Sequence, residues 1–254
     1  MKHRVAFITG SATGLGRRIA QELAAQGAHV VVNYVNSKEK AIEFGSFLEE
    51  TYGAETLLVQ GDVSRYEDSQ RMVRESFERF GQIDLLVNNA GPFIFKRISV
   101  VDYATDDWRY MVDGNLNSVF YLCKLIVPHM RERGFGRIVN IGFERAETAP
   151  AWVGYSAYAA AKAGLVSLTK TLAVEEAPRG ITVNMVCPGD IVDHWKEADI
   201  AAARLVPDSN SPVGRMGTGE DIARVVAFLC DDKSDFVTGA VIPVTGANDV
   251  LSTR

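Results

Sequence analysis

The chain has 254 residues, 47% of them hydrophobic and 23% charged, with a formal net charge of −5. That length and apolar content suit one α/β domain with a sizeable core, and the acidic balance argues against a dedicated binder of nucleic acid or anionic membrane. Cys123, Cys187 and Cys230 are widely separated and His3, His29, His129 and His194 show no ligand spacing, so neither a disulfide framework nor a metal site is expected.

In chain order, the strand candidates are Val5–Thr9, Ala28–Asn33, Thr56–Gln60, Ile83–Val87, Gly136–Ile141, Ile181–Val186 and Ala240–Val244. They are rich in Val and Ile and mostly do not alternate, the pattern of strands buried on both faces. Between them lie helical stretches over Leu15–Gln26, Lys38–Thr51, Tyr66–Phe80, Asp106–Arg133, Ala157–Ala177 and Glu220–Cys230, with Gly27, Gly53 and Gly81 where left-handed caps would fall. The alternation predicts a doubly wound parallel sheet of about seven strands, filling residues 1–254 as one Rossmann-type domain. The apolar piece from Val5 to Ile8 is too short for a signal sequence and no stretch reaches membrane-spanning length, so a cytoplasmic protein is the expectation. The least regular segment, near 192–219, carries Pro207, Pro212 and one short helix candidate, Trp195–Leu205. It follows a strand at the presumed ligand edge and reads as a lid.

Thr9-Gly10-Ser11-Ala12-Thr13-Gly14-Leu15-Gly16 joins the first strand to the first helix. Glycines at this place serve a tight turn, a close approach of backbone to pyrophosphate, and close helix–strand packing, while the helix end offers free N–H groups to the phosphates. Dinucleotide binding is therefore expected of Gly10, Ser11, Thr13, Gly14, Leu15 and Gly16.

The TGxxxGxG spacing resembles the cofactor loop of the short-chain dehydrogenase/reductase family, and further matches follow in order. Asp62-Val63 resembles the family's adenine-contacting pair, Asn88-Asn89-Ala90-Gly91 its NNAG signature, Asn115 its active-site asparagine and Tyr158-Ala159-Ala160-Ala161-Lys162 its YxxxK pair. Pro188-Gly189, followed by Ile191, looks like the turn beside the nicotinamide, and Val237-Thr238-Gly239 also fits. The chain is most similar to 3-oxoacyl-(acyl-carrier-protein) reductases. The resemblance implies an NAD(P)-dependent oxidoreductase, a small-molecule or acyl-carrier-bound carbonyl substrate, and a homotetramer or homodimer built on the long helices. It casts Tyr158 as the acid that protonates the carbonyl oxygen, Lys162 as its partner and the holder of the nicotinamide ribose, and Asn115 as the anchor of a relay water.

Residues four apart on a helix share a face, so Tyr158 and Lys162 can enter one cleft. A nearby ammonium favours the phenolate and is expected to bring the Tyr158 pKa down toward the working range.

Two departures fall at the active end. Phe143 stands in Asn140-Ile141-Gly142-Phe143-Glu144 where the family has its catalytic serine, and it offers no hydrogen bond to a developing alkoxide. Three readings stay open: a substitute donor from Thr148 or Tyr155, chemistry on C=C or C=N bonds that tolerates the loss, or cofactor binding with vestigial turnover. Asp193 stands where relatives place a threonine near the nicotinamide. Phe143 and Tyr155, with Phe93, Phe95, Trp152 and Trp195, suggest an apolar substrate pocket, of which about half are expected to be core residues.

The second strand ends Asn33-Tyr34, with no acid before Glu39. An acid there would hold the ribose hydroxyls of NAD and repel a 2′-phosphate, so NADP(H) is expected over NAD(H). Ser11, Asn36, Ser37 and Lys38 are candidate donors to that phosphate, with Asn33 at the strand end and Arg17 close by.

Overall fold

The computed structural model describes residues 1–248; the last six residues of the expected 1–254 domain lie outside the described part. Seven strands form one parallel sheet in the order β3-β2-β1-β4-β5-β6-β7. They are β1 Val5–Ile8, β2 His29–Tyr34, β3 Thr56–Gln60, β4 Leu85–Asn88, β5 Gly136–Ile141, β6 Ile181–Pro188 and β7 Val241–Val244. All seven expected strands are present, with ends shifted by at most two residues. Their uniform apolarity has a direct cause: side chains alternate between two covered faces. Ala6, Ile8, Val30 and Val32 point into one core and Val5, Phe7, Val31 and Val59 into the other.

The helices are α1 Gly14–Ala25, α2 Lys38–Tyr52, α3 Tyr66–Phe80, α4 Thr105–Val112, α5 Ser118–Arg133, α6 Ser156–Glu176, α7 Ile200–Arg204 and α8 Gly219–Cys230. Ile19 and Leu23 of α1, Phe44 and Leu48 of α2, and Ile222 and Val226 of α8 fill the first core. Met72 of α3, Leu122 and Ile126 of α5 and Leu165 of α6 fill the second. Val119, with Leu122 and Ile126, turns the same face of α5 to the sheet.

The single helix expected over Asp106–Arg133 is a correction. It is interrupted by one π-helical turn at Asp113–Asn117, between α4 and α5. The lid helix expected over Trp195–Leu205 is likewise two pieces, a 3₁₀ turn at Asp193–Lys196 and the short α7.

A buried polar chain ties the sheet to α6. Asn88 Nδ2 donates to Asn140 Oδ1 at 2.8 Å, Asn140 Nδ2 donates to Thr169 Oγ1 at 2.9 Å, and Thr169 donates on to Leu165 O at 2.7 Å. Arg131 of α5 donates to the buried Glu176 carboxylate at the end of α6. The chain order reverses between β1 and β4, so a crevice opens at the carboxyl ends of these strands.

Candidate active site

That crevice is a cavity of about 570 Å³. Ten of the residues expected at the site line it: Leu15, Asn89, Gly91, Asn115, Phe143, Tyr155, Tyr158, Lys162, Pro188 and Gly189. They come from the β1–α1 loop, the ends of β4, β5 and β6, the π-helical turn and α6, so the topology alone gathers them.

The glycine loop is shaped by its neighbours. Gly10 N–H donates to Asn33 Oδ1 at 2.9 Å, while Asn33 Nδ2 donates to Gly61 O at 3.0 Å. A Cβ on Gly16 would sit 2.5 Å from Gly10 O and 2.6 Å from Asn89 Nδ2, so only glycine lets α1 start this close to β1 and β4. Thr9 is a clamp that the sequence reading did not single out: its Oγ1 accepts from the N–H groups of Asn89 and Ala90 at 2.9 and 2.8 Å. Ser11 and Asn33 are fully buried, and Ser11 Oγ donates to Ile8 O at 2.7 Å. Their side chains are spent inside the protein, where they build the loop; neither faces outward toward a 2′-phosphate. Asn36 and Lys38 are exposed beside the end of β2. Thr13 and Gly14 stand at the start of α1. Asp62 Oδ1 accepts from both Ser64 N and Ser64 Oγ, and Val63 and Ile191 are buried core residues.

Tyr158 and Lys162 lie one turn apart on α6, with Lys162 Nζ 5.6 Å from the Tyr158 ring centroid. Lys162 is buried and donates to Ile141 O at 2.7 Å. Desolvation lowers its pKa to about 8. The expected fall in the Tyr158 pKa is a second correction: burial pushes the phenol up, assisted by the nearby Cys187 thiol. Desolvation of the phenolate, the largest cause, outweighs the pull of the nearby ammonium. Asn115 sits inside the π-helical turn, and its Nδ2 donates to Pro92 O at 2.8 Å and Met111 O at 3.0 Å. Its buried Oδ1 has no hydrogen-bond partner. Single π turns of this kind recur at functional sites because they re-aim a side chain.

Around Tyr158 the cavity wall is a set of rings. Phe143 stacks on Trp152 at 4.9 Å, Phe93 stacks on Tyr155 at 5.2 Å, and Phe93 meets Tyr158 edge-on at 5.0 Å. Phe143 is buried, and Glu144 beside it is a buried acid on the cavity wall that the sequence reading passed over. Phe95 overhangs the cavity and is 80% exposed. Trp195 instead packs against the core. Of the two substitute donors, Thr148 is exposed and turned to Arg145 O at 2.9 Å, outside the cavity. Tyr155 lines the cavity, its hydroxyl donating to Phe95 O at 3.3 Å. Arg145 and Ala149, between β5 and α6, hold left-handed φ values of 59° and 46° without being glycine, and such strain gathers at functional sites. Asp193 is exposed at the start of the 3₁₀ turn and does not line the cavity.

A doubly wound sheet with a glycine loop at its switch point and a Tyr–Lys pair in the same cleft defines a class, the nicotinamide-dependent oxidoreductases of one domain. Residues 10–246 match the family described as enoyl-(acyl carrier protein) reductase, and the chain belongs to the short-chain dehydrogenase/reductase family. It is 48% identical over 253 residues to YtkK of Bacillus subtilis, which carries the provisional name of an oxidoreductase, covering 99% of this chain and 98% of that one. It is 38% identical over 250 residues to the 3-oxoacyl-(acyl-carrier-protein) reductase FabG of Staphylococcus epidermidis, covering 96% and 98%. A solved structure from Bacillus thuringiensis, provisionally titled a 3-oxoacyl-reductase, superposes with a TM-score of 0.92 at 48% identity, over 98% of this chain and 99% of that one.

Proposed function

We propose that the protein reduces a carbonyl with NADP(H), the substrate being a hydrophobic ketone, an aldehyde or a 3-oxoacyl thioester. The observation that carries this reading is the convergence of Tyr158, Lys162 and Asn115 on one cavity with the glycine loop at its end. The residues fit a dinucleotide. Leu15, Asn89, Gly91, Pro188 and Gly189 would hold it along the cleft, with Lys162 on the nicotinamide ribose, and Gly14 and Leu15 at the phosphates. Asn36 and Lys38, with no acid at the end of β2, favour NADP over NAD.

When bound, the cofactor supplies hydride to the carbonyl carbon. Tyr158 gives its phenolic proton to the carbonyl oxygen, against a burial cost on the phenolate that Lys162 must offset. The Lys162 ammonium then favours the phenolate that remains. Asn115, on the cavity wall, would position a water that returns a proton from solvent. The ring-walled pocket excludes bulk water and selects an apolar substrate.

A second reading, reduction of C=C or C=N bonds, is favoured by Phe143, because no hydroxyl stands at that position beside the reacting carbonyl. NADPH oxidation is to be followed with an acetoacetyl thioester, an aryl ketone and an enoyl thioester, with Tyr158→Phe alongside. Turnover of a carbonyl, reduced at least ~10²-fold in the variant, is the expected result. Turnover of the enoyl substrate alone would move the reading to the second chemistry. Nucleotide binding without turnover of any would leave a binding protein. Light scattering tests the accompanying proposal of a homotetramer or homodimer, for which Trp108 and Tyr110 on α4 and Phe120 on α5 supply exposed apolar surface.

A further inference from the structure

The lid delivers two adjacent, opposite charges to the N-terminus of α1. Glu197, which follows the 3₁₀ turn, accepts a hydrogen bond from Gly14 N–H at 2.6 Å, and its other oxygen lies 3.8 Å from Arg17 Nε. Gly14 opens α1, so its N–H belongs to the first turn, which has no intrahelical acceptor. Nothing local satisfies it: Thr13 makes no side-chain cap and the first turn of α1 holds no acid. The acceptor comes instead from 183 residues away. Lys196, the neighbour of Glu197, lines the cavity, and its Cδ is 3.9 Å from the point where a Cβ on Gly14 would stand.

The surroundings hold this turn in place. Ile200 N–H donates to Glu220 Oε2 at 2.7 Å, Glu220 N–H reaches Ala198 O at 3.4 Å, and Arg18 of α1 pairs with the Glu220 carboxylate at 3.4 Å. A Cβ on Gly219 would collide with Lys196 O, so the turn sits directly on the first residue of α8. Asp193, at the entry to the turn, is a non-glycine residue at φ 47°. The Glu197 side chain itself is 46% exposed, so it can leave Gly14 for water at small cost.

We propose that Lys196 and Glu197 are a latch that sets cofactor affinity. Glu197 competes with the dinucleotide's pyrophosphate for Gly14 N–H, and Lys196 pairs with that pyrophosphate. One N–H cannot serve both anions, and a carboxylate next to a phosphate is repelled. Cofactor binding therefore requires Glu197 to swing away, while the anchored turn keeps the Lys196 ammonium at the helix end. The lid and the nucleotide site are thereby coupled through one hydrogen bond. This inference rests on the dinucleotide reading above.

The test is a fluorescence titration with NADPH of the wild type, Glu197→Ala, Glu197→Gln and Lys196→Ala. Hydrogen exchange of the glycine-loop amides, measured without nucleotide, and Tm are recorded for each. The latch predicts Kd smaller by about 3- to 10-fold in Glu197→Ala, with faster exchange at the loop, and a smaller gain in Glu197→Gln, which loses the charge but keeps an oxygen that accepts from Gly14 N–H. It predicts Kd larger by about 10-fold in Lys196→Ala, with a shallower dependence on salt. If Glu197 serves only as a helix cap, its variants lose Tm while Kd is unchanged or larger, and the latch is overturned. An unchanged Kd in Lys196→Ala removes the lysine's half of it. Absence of NADPH binding in the wild type would instead bring down the dinucleotide reading itself, and the latch with it.

Discussion

Phe143 carries the sharpest chemical contrast in the molecule. Its ring is buried, stacked on Trp152 and 5.7 Å from Tyr158, at the position where the resemblance leads one to expect a serine hydroxyl. A donor aimed at a developing oxyanion is worth roughly 10²–10³ in rate, whereas truncating a buried phenylalanine costs about 3–5 kcal/mol. Phe143→Ser is therefore expected to raise kcat on a carbonyl substrate by about tenfold or more while lowering Tm. An unchanged or lower kcat in a folded variant would show that the pocket does not lack a donor. Lys162 makes a prediction about pH. Its folded pKa, about 8, lies below the 10.5 of the unfolded chain. Between those values the unfolded chain binds more protons, so wild-type stability rises with pH across that window. The cost of holding the buried ammonium is fully present below pH 8, with a ceiling of about 3 kcal/mol. Lys162→Met removes that cost together with the bond to Ile141 O, so the variant is expected to melt higher than wild type at pH 7. The gap should close toward pH 10. A variant that melts lower at pH 7, or a gap indifferent to pH, would refute this account.

At the scale of elements, α6 presents Tyr158 and Lys162 to the cavity and the Asn88–Asn140–Thr169 chain fixes α6 to the sheet. Thr169→Val leaves Asn140 Nδ2 buried and unpaired, a cost of about 1–3 kcal/mol. Thr182 on β6 is also buried, but its Oγ1 has no partner, so Thr182→Val should be neutral or stabilising. Denaturant midpoints of the two variants check the contrast; equal losses would deny the chain its role. The same elements show what a sequence discloses. Strands covered on both faces announce themselves as runs rich in Val and Ile, because a polar side chain buried on either side needs a partner, as Asn140 finds in Asn88 and Thr169. Thr13 through Gly16, Tyr158 and Lys162 were legible because their motifs fall in the order of a family that the chain resembles over nearly its whole length. The break at Asp113–Asn117 was not legible. It depends on Asn115 Nδ2 taking the carbonyls of Met111 and Pro92, the latter 23 residues away, and apolar periodicity is blind to that competition. Glu197 was hidden for the same reason, since its partner lies at the other end of the chain. The Tyr158 shift went the wrong way because spacing gave the nearness of Lys162 but not the desolvation of the phenol among the rings around it.

Across the whole molecule, the two cores are joined through one sheet, and the cleft lies over its midpoint where β1, β4, β5 and β6 end. A dinucleotide lying along that edge contacts elements from both halves, so its binding energy adds to global stability and not to one loop. A ligand that binds only the folded state at a hundredfold excess over Kd contributes about 2.7 kcal/mol. For a domain of this size each kcal/mol raises Tm by roughly 2–4 °C, so NADPH at that excess should raise Tm by about 5–10 °C. NADH at the same concentration should raise it less, because the exposed Asn36 and Lys38 beside the end of β2 have no 2′-phosphate to bind. Thermal melts with each nucleotide read both points without requiring a substrate. Equal shifts would leave dinucleotide binding intact and remove the NADP preference. A larger shift with NADH would reverse it, assigning the ribose hydroxyls to groups at that strand end other than an acid. The Lys38→Ala variant divides the effect further: it should shrink the NADPH shift toward the NADH value and leave the NADH shift alone, since Lys38 opens α2 beside the adenosine end and lines no part of the cleft.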